Sequence, residues 1–349
     1  MTNSPFVSIV IPCRNEEEFI AKCLDSVIAN DYPKDTLEVL VVDAMSEDGT
    51  REVVDGYAHR YPFVRLLDNH KKITPVALNI GIKHAKSQII MRMDAHAAYE
   101  KEYISKCVQY LNEYNADNVG GIWKIVPRDD TTIGKAIALV LSHPFGIGNA
   151  YYRFATKKLR WVDTVPFFCY RKEIFDKVGL FNENLTRSQD MEFNLRLKSM
   201  GYRTLLVPDI VSYYYARSDF GSFCRHNLRN GVWAIYPLKF TTITPVSWRH
   251  MVPLAFVLSL IGSGVLSVVS PIFLYFFLFI SGSYTLANLF FSIKIAAEQK
   301  NSRYLFLMPL IFTILHISYG LGSLWGLLKV MISAQFWKNR FSSLGANRK

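Results

Sequence analysis

Two long stretches of this sequence contain no Asp, Glu, Lys or Arg: Met251 to Ile293 and Tyr304 to Leu328. Helices of a soluble core rarely run that far without a charge, and a bilayer core of about 30 Å needs roughly 20 apolar residues per crossing. The first stretch suffices for two spans, divided near Ser270 and Pro271, and the second for one. The expected spans are about 251–269, 272–293 and 304–329. Cysteine is also scarce. The five cysteines (Cys13, Cys23, Cys107, Cys169 and Cys224) have no paired spacing, which argues against a disulfide or zinc framework and fits a reducing compartment. The amino terminus has neither a basic flank nor a cleavage site, so residues 1–236 are expected to stay in the cytoplasm.

Acidic residues are outnumbered, 29 against 40 Lys and Arg, for a net charge of +11. Arg217, Arg225, Arg229, Lys239 and Arg249 precede the first apolar run, and Lys338, Arg340, Arg348 and Lys349 follow the last. Basic residues beside membrane segments meet anionic headgroups. No nucleic-acid-binding motif accompanies them, and no nucleic-acid partner is expected. Lys294, Lys300 and Arg303 lie between the second and third spans. If that loop is cytoplasmic, three full spans place the basic tail outside, against the charge rule. Either the tail is an exception or the last stretch does not cross fully; its length favours a crossing.

Before residue 236 the pattern is α/β. Val7–Pro12, Leu37–Val42, Val64–Leu67 and Gln88–Met93 read as strands, with helical spacing over Glu16–Ala29 and Pro75–Ala85. Further strands are expected near 121–126, 161–169 and 204–207, and helices near 172–178 and 191–200. The basic, aromatic segment 220–236 reads as a helix on the membrane surface. In doubly wound sheets ligands bind beyond the carboxyl ends of the strands. Three polar clusters fall there: Cys13-Arg14-Asn15-Glu16, Asp43-Ala44-Met45-Ser46 and Asp94-Ala95-His96. Asp94 and His96, one residue apart at a strand end, can meet one hard divalent ion that bridges a diphosphate.

These motifs, in this order and spacing, resemble the family 2 glycosyltransferases of GT-A fold. The resemblance continues at Val162-Asp163-Thr164-Val165-Pro166, at Val178 to Glu183 and at Gln189-Asp190-Met191-Glu192-Phe193-Asn194-Leu195-Arg196. Within that family the chain looks most like the succinoglycan-type exopolysaccharide glucosyltransferases, which carry Asp-Ala-His where most relatives carry Asp-x-Asp. The resemblance implies a GT-A (Rossmann-like) mixed-sheet domain over residues 1–236 and a membrane domain over 237–349. It implies that Pro12 and Glu16 line the nucleoside pocket, with Arg14 and Ser46 beside them, and that Asp43 accepts a hydrogen bond from the base, usually uracil. Asp94 and His96 would hold metal and diphosphate, Asp190 would be the general base, and Arg229 would touch the diphosphate. The implied partners are a nucleotide-sugar donor, a lipid-linked saccharide acceptor and the membrane.

The departures carry information. Imidazole at His96 moves the metal preference from magnesium toward manganese. Gln189 replaces the usual Glu before the base, and Asn230 replaces the Trp of the processive element. With only three spans after it, the latter speaks against a processive synthase. One base opposite the leaving group favours inversion. Plainer readings stand beside these. Asp43 or Asp190 could cap a helix, Glu192 and Arg196 could form a surface ion pair, and Trp123, Trp161 and Trp233 could be core or interface residues. His316 could bond between helices. Two other functions remain open: a polyprenyl-phosphate hexose synthase, and a non-enzymatic nucleotide-sugar-binding scaffold.

Overall fold

The computed structural model describes residues 4–154, 156–241, 248–334 and 336–338. Arg340, Arg348 and Lys349 of the basic tail lie outside the described residues. The first elements in chain order are β1 (Val7–Cys13), α1 (Glu17–Ile28), β2 (Leu37–Asp43), α2 (Thr50–Arg60), β3 (Val64–Asp68), α3 (Thr74–His84) and β4 (Ile89–Arg92). Then come β5 (Ala97–Tyr99), α4 (Tyr103–Glu113), β6 (Asn118–Pro127), α5 (Thr132–Leu141), α6 (Pro144–Ile147), β7 (Arg160–Val162) and β8 (Cys169–Arg171). The remainder is α7 (Glu173–Val178), α8 (Gln189–Ser199), β9 (Thr204–Ala216), α9 (Phe220–Ile235), α10 (Trp248–Leu266), α11 (Pro271–Glu298) and α12 (Tyr304–Met331).

The chain divides into two compact units. The first holds residues up to 124 and Tyr151–Tyr215; the second holds Ile125–Ala150 and everything from Ala216. By contacts the first unit ends at Tyr215, and the internal excursion Ile125–Ala150 groups with the helices. Residues 125–150 contain the apolar helix α5, which packs on α12 rather than on the sheet unit.

The described strands form one mixed sheet in the order β3-β2-β1-β4-β8-β6-β9-β5, with β7 also pairing β9. β3, β2, β1 and β4 are parallel; β8 joins β4 antiparallel, and β5 and β7 join β9 the same way. Successive residues of β1 and β2 point to opposite faces, so both faces must be apolar. Val7, Ile9 and Ile11 enter one core with α1 residues Ile20, Cys23, Leu24 and Val27. Val10, Leu40 and Val42 enter the other with Leu78 and Ile82 of α3 and Phe193 of α8. Because β1 pairs parallel with both β2 and β4, the carboxyl ends of the three strands lie along one edge of the sheet. The strand expected over 161–169 is instead two short strands, β7 and β8, separated by the loop 163–168.

In the second unit, three helices are long and apolar enough to cross a membrane: α10, α11 and α12. The α9 segment forms the expected helix. It packs along α12 at close range: a Cβ on Gly322 would lie 2.1 Å from the Leu228 carbonyl, and one on Gly231 would lie 2.1 Å from the Tyr319 carbonyl. Glycine at such crossings lets two backbones touch.

Candidate active site

At the end of β2, Asp43 is wholly buried. Its carboxylate accepts hydrogen bonds from the Ser46 amide (2.9 Å) and hydroxyl (2.5 Å) and pairs with Arg51 (2.8 Å), which also reaches Asp68 (2.9 Å). Burial pushes this carboxyl up, but the Ser46 hydrogen bonds and the Arg51 guanidinium outweigh it and hold the pKa below the usual range. The Asp43 carboxylate ties the turn at the strand end to the first turn of α2; it does not cap a helix, since the residue before α2 is Gly49. A nucleobase reaches Asp43 only by displacing one of these groups. Asn15, at a left-handed φ of 52°, donates its amide to Ser46 Oγ (2.9 Å) and accepts from the Glu47 amide (3.0 Å). Ser46 thus stitches the ends of β1 and β2 together. Pro12 pairs with Val42 in register, and Arg14 is exposed at the mouth.

At the end of β4, His96 Nδ1 lies 2.9 Å from Glu16 Oε1. Burial lowers the imidazole pKa, but the Glu16 carboxylate and the Asp94 charge raise it further, so the net shift is upward. Asp94 is gripped by Arg92 through both oxygens, Nε to Oδ1 at 2.7 Å and Nη2 to Oδ2 at 3.3 Å. The remaining Arg92 nitrogen, Nη1, reaches Asp190 Oδ1 at 2.5 Å. Burial opposes the Arg92 charge, and the Asp190 and Asp94 carboxylates more than restore it. One guanidinium therefore joins Asp94 to Asp190, residues far apart in sequence. Sequence reasoning missed Arg92 and Arg51. The available signal was an arginine inside the apolar strand Ile89-Ile90-Met91-Arg92-Met93, since a charge buried in a strand needs partners.

Asp190 lies in the first turn of α8, which starts at Gln189, earlier than expected; the preceding Ser188 occupies the cap position at φ 59°. Its side chain is 42% exposed. Asp190, Arg92, Val165, Phe167, Phe168, Tyr170, Phe181 and Asn194 line a small cleft. Asn194 accepts from the Tyr170 hydroxyl (2.7 Å) and donates to Thr164 (2.9 Å), which fixes α8 against β8 and the loop before it. Glu192 and Arg196 do pair, at 2.6 Å, but inside the fold rather than on its surface: Glu192 is buried, and Arg196 also donates to the carbonyls of Val178 and Leu180. Trp123 stacks on the Tyr214 ring (4.4 Å) with the Arg153 guanidinium 4.8 Å from its ring, the packed setting of a core residue rather than an open sugar platform. Arg229 is exposed on α9, in the second unit.

Among the described residues no three His, Cys, Asp or Glu side chains converge as a complete metal cage. The donor set nevertheless fits a divalent ion shared with a diphosphate. The His96 tautomer that donates Nδ1–H to Glu16 would leave the Nε2 lone pair for a metal, in the carboxylate–histidine arrangement that orients such ligands. Asp94, two residues earlier, would offer an oxygen once it is released from Arg92.

Residues 8–179 match the family described as "Glycosyl transferase family 2". The dolichyl N-acetyl-alpha-D-glucosaminyl phosphate 3-beta-D-2,3-diacetamido-2,3-dideoxy-beta-D-glucuronosyltransferase of Methanococcus voltae is 30% identical over 232 residues, 65% of this chain and 72% of the relative. The succinoglycan biosynthesis protein ExoA of Rhizobium meliloti is 28% identical over 268 residues, 70% of this chain and 80% of the relative. Among solved structures, the mannosyltransferase PcManGT from Pyrobaculum calidifontis, in complex with GDP-Man and Mn2+, aligns with a TM-score of 0.59 at 20% identity, covering 93% of this chain and 88% of the other. The mixed sheet, the strand-end clusters and these relatives agree: the chain belongs to glycosyl transferase family 2.

Proposed function

We propose that the protein is an inverting glycosyltransferase that moves a sugar from a nucleotide-sugar donor, uridine-linked, to a lipid-linked saccharide in surface-glycan or exopolysaccharide synthesis. The observation that carries this reading is the Arg92 bridge: it sets a carboxylate suited to the leaving-group side, Asp94, within one side chain of a half-exposed carboxylate suited to the acceptor side, Asp190. The names of the relatives support the acceptor class, since one acts on a dolichyl-linked sugar phosphate and another serves succinoglycan biosynthesis.

In this reading the acceptor hydroxyl oxygen forms a bond to the sugar C1 as the bond from C1 to the phosphate oxygen breaks. The hydroxyl proton passes to Asp190, and the nucleoside diphosphate leaves with the electron pair of the broken bond. Arg92 aims Asp190, and the Ser46–Asp43–Arg51 set shapes the nucleoside end, with Pro12, Arg14 and Glu16 along the same edge. A manganese or magnesium ion held by Asp94 and His96 would supply charge neutralisation for the diphosphate. The catalytic unit faces the cytoplasm, where nucleotide sugars are made, and α10 and α11 anchor it.

Asp190→Asn keeps the shape of the side chain but cannot take a proton. It is expected to bind donor normally and to lose about 10² to 10⁴ in single-turnover rate. Donor affinity by calorimetry and product by mass analysis of the lipid fraction decide it. Near-normal turnover would favour a phosphate acceptor, which needs no base, and with it a polyprenyl-phosphate hexose synthase.

A further inference from the structure

We propose that α12 does not cross the bilayer. It lies in the leaflet on the side from which α10 enters, and only α10 and α11 span. The contacts within the helical unit give the depth. α10 and α11 form a hairpin about Ser270: a Cβ on Gly264 would meet Phe277 at 3.7 Å, and the rings of Phe256 and Tyr284 are 4.6 Å apart. These pairs are equidistant from the turn, so each helix measures depth. At about 1.5 Å per residue, a core of about 30 Å counted from Ser270 ends near Met251 in α10 and Phe290 in α11. The charges agree with that line. Arg249 precedes it, and Lys294 and Glu298 of α11 lie beyond it.

The path of α12 can be read against the same scale. Asn288 donates to the Pro309 carbonyl (3.0 Å) and to Thr313 (3.2 Å), just inside the boundary. His316 meets the Tyr284 hydroxyl (3.0 Å), about 9 Å inside by the helical rise. A perpendicular helix would keep descending. Instead the Tyr319 hydroxyl lies 2.5 Å from His250 Nδ1, at the boundary itself, and Gly320 packs against Pro253 and Val257. Gly322 and Gly326 then pack on Leu228 and Val232 of α9, whose Arg225 and Arg229 are exposed and cannot sit deep in hydrocarbon at low cost.

The exposed surface of α12 has the form this position requires. Phe306, Leu310, Leu321, Trp325, Leu328 and Met331 recur at helical spacing and are all exposed, as one stripe. The occupant of that stripe is the acyl region just beneath the headgroups. Trp325, with the Lys329 ammonium 5.5 Å from its ring, suits the water–lipid boundary. The arrangement removes the conflict with the charge rule, because Lys294, Lys300, Arg303 and Lys338 then share one side.

The test uses the full chain with Cys224→Ser, the other four cysteines being buried. Val269→Cys, Ser302→Cys and Ala334→Cys are treated with a membrane-impermeant maleimide before and after permeabilisation of intact cells. Ala334→Cys is expected to behave like Ser302→Cys and opposite to Val269→Cys, whichever side the catalytic unit occupies. Ala334→Cys reacting together with Val269→Cys would overturn the proposal. A second measurement does not depend on labelling. Leu321→Lys, at the middle of a crossing but shallow in an interfacial helix, is expected to keep membrane insertion, whereas Leu278→Lys in α11 loses it. Equal loss in both would also overturn the proposal.

Discussion

Arg92 pairs with Asp94 and Asp190 at once, the two ends of the proposed reaction centre, and its removal separates two effects. Arg92→Gln releases both oxygens of Asp94 from a competing cation, so manganese should bind the donor-free chain more tightly. The same substitution leaves Asp190 without its buried partner, so turnover should fall by more than about tenfold, the loss typical of a misdirected acid–base group. Manganese titration by electron paramagnetic resonance and a single-turnover assay read the two separately; a fall in both would mean that Arg92 serves only the fold. Strand-end carboxylates and the histidine were legible in the sequence because chemistry-bearing residues follow apolar strands there. Arg92 and Arg51 were not, because their meaning lies in partners brought by other elements: Asp190 from α8 and Asp68 from β3. For Glu192 the spacing gave the partner and missed the burial, which comes from the chain around Val178 and Leu180.

The elements were mostly legible where one periodicity ran unbroken, as in β1, β2 and α1. They were not where a segment is short or its core is distant. β5 has three residues and exists because β9 pairs with it. α4 carries its apolar face at Tyr103, Ile104, Cys107, Val108 and Leu111, a helical spacing that went unread between two stronger signals. His316 was legible as a residue bonding between helices, since it meets Tyr284 of α11 and the Phe145 carbonyl. The seam of α9 on α12 gives a graded prediction. Gly322→Ala drives a methyl into the Leu228 backbone and should destabilise the detergent-solubilised protein by about 1–3 kcal/mol, the usual cost of overpacking. Gly262→Ala in α10 meets nothing within 4 Å and should be neutral or slightly stabilising. Thermal unfolding of the pair checks the contrast.

At the scale of the whole molecule, the α/β class followed from the alternation of strand and helix patterns, the GT-A mixed sheet from the family resemblance, and the helices long and apolar enough to cross a membrane from the charge-free runs. The division of the chain did not, because the polypeptide leaves the sheet unit at Lys124, returns at Tyr151 and leaves again after Tyr215. A chain ended after Tyr236 retains α5 and α6 without the α12 surface on which they pack. It is expected to aggregate. Ending the chain at Tyr215, with 125–150 replaced by a short Gly/Ser linker, is expected to give a monomer. Size-exclusion chromatography of the two, without detergent, distinguishes them.

That threading also bears on how such a protein can diversify. A single genetic crossover exchanges everything on one side of a breakpoint, which suits anchors appended as one tail. Here a foreign anchor arriving through one breakpoint after Tyr215 would meet a resident α5–α6 excursion shaped to another α12. Recombination at this locus should therefore keep the anchor and residues 125–150 together, so that the two segments drift as a pair, a substitution in one selecting its complement in the other.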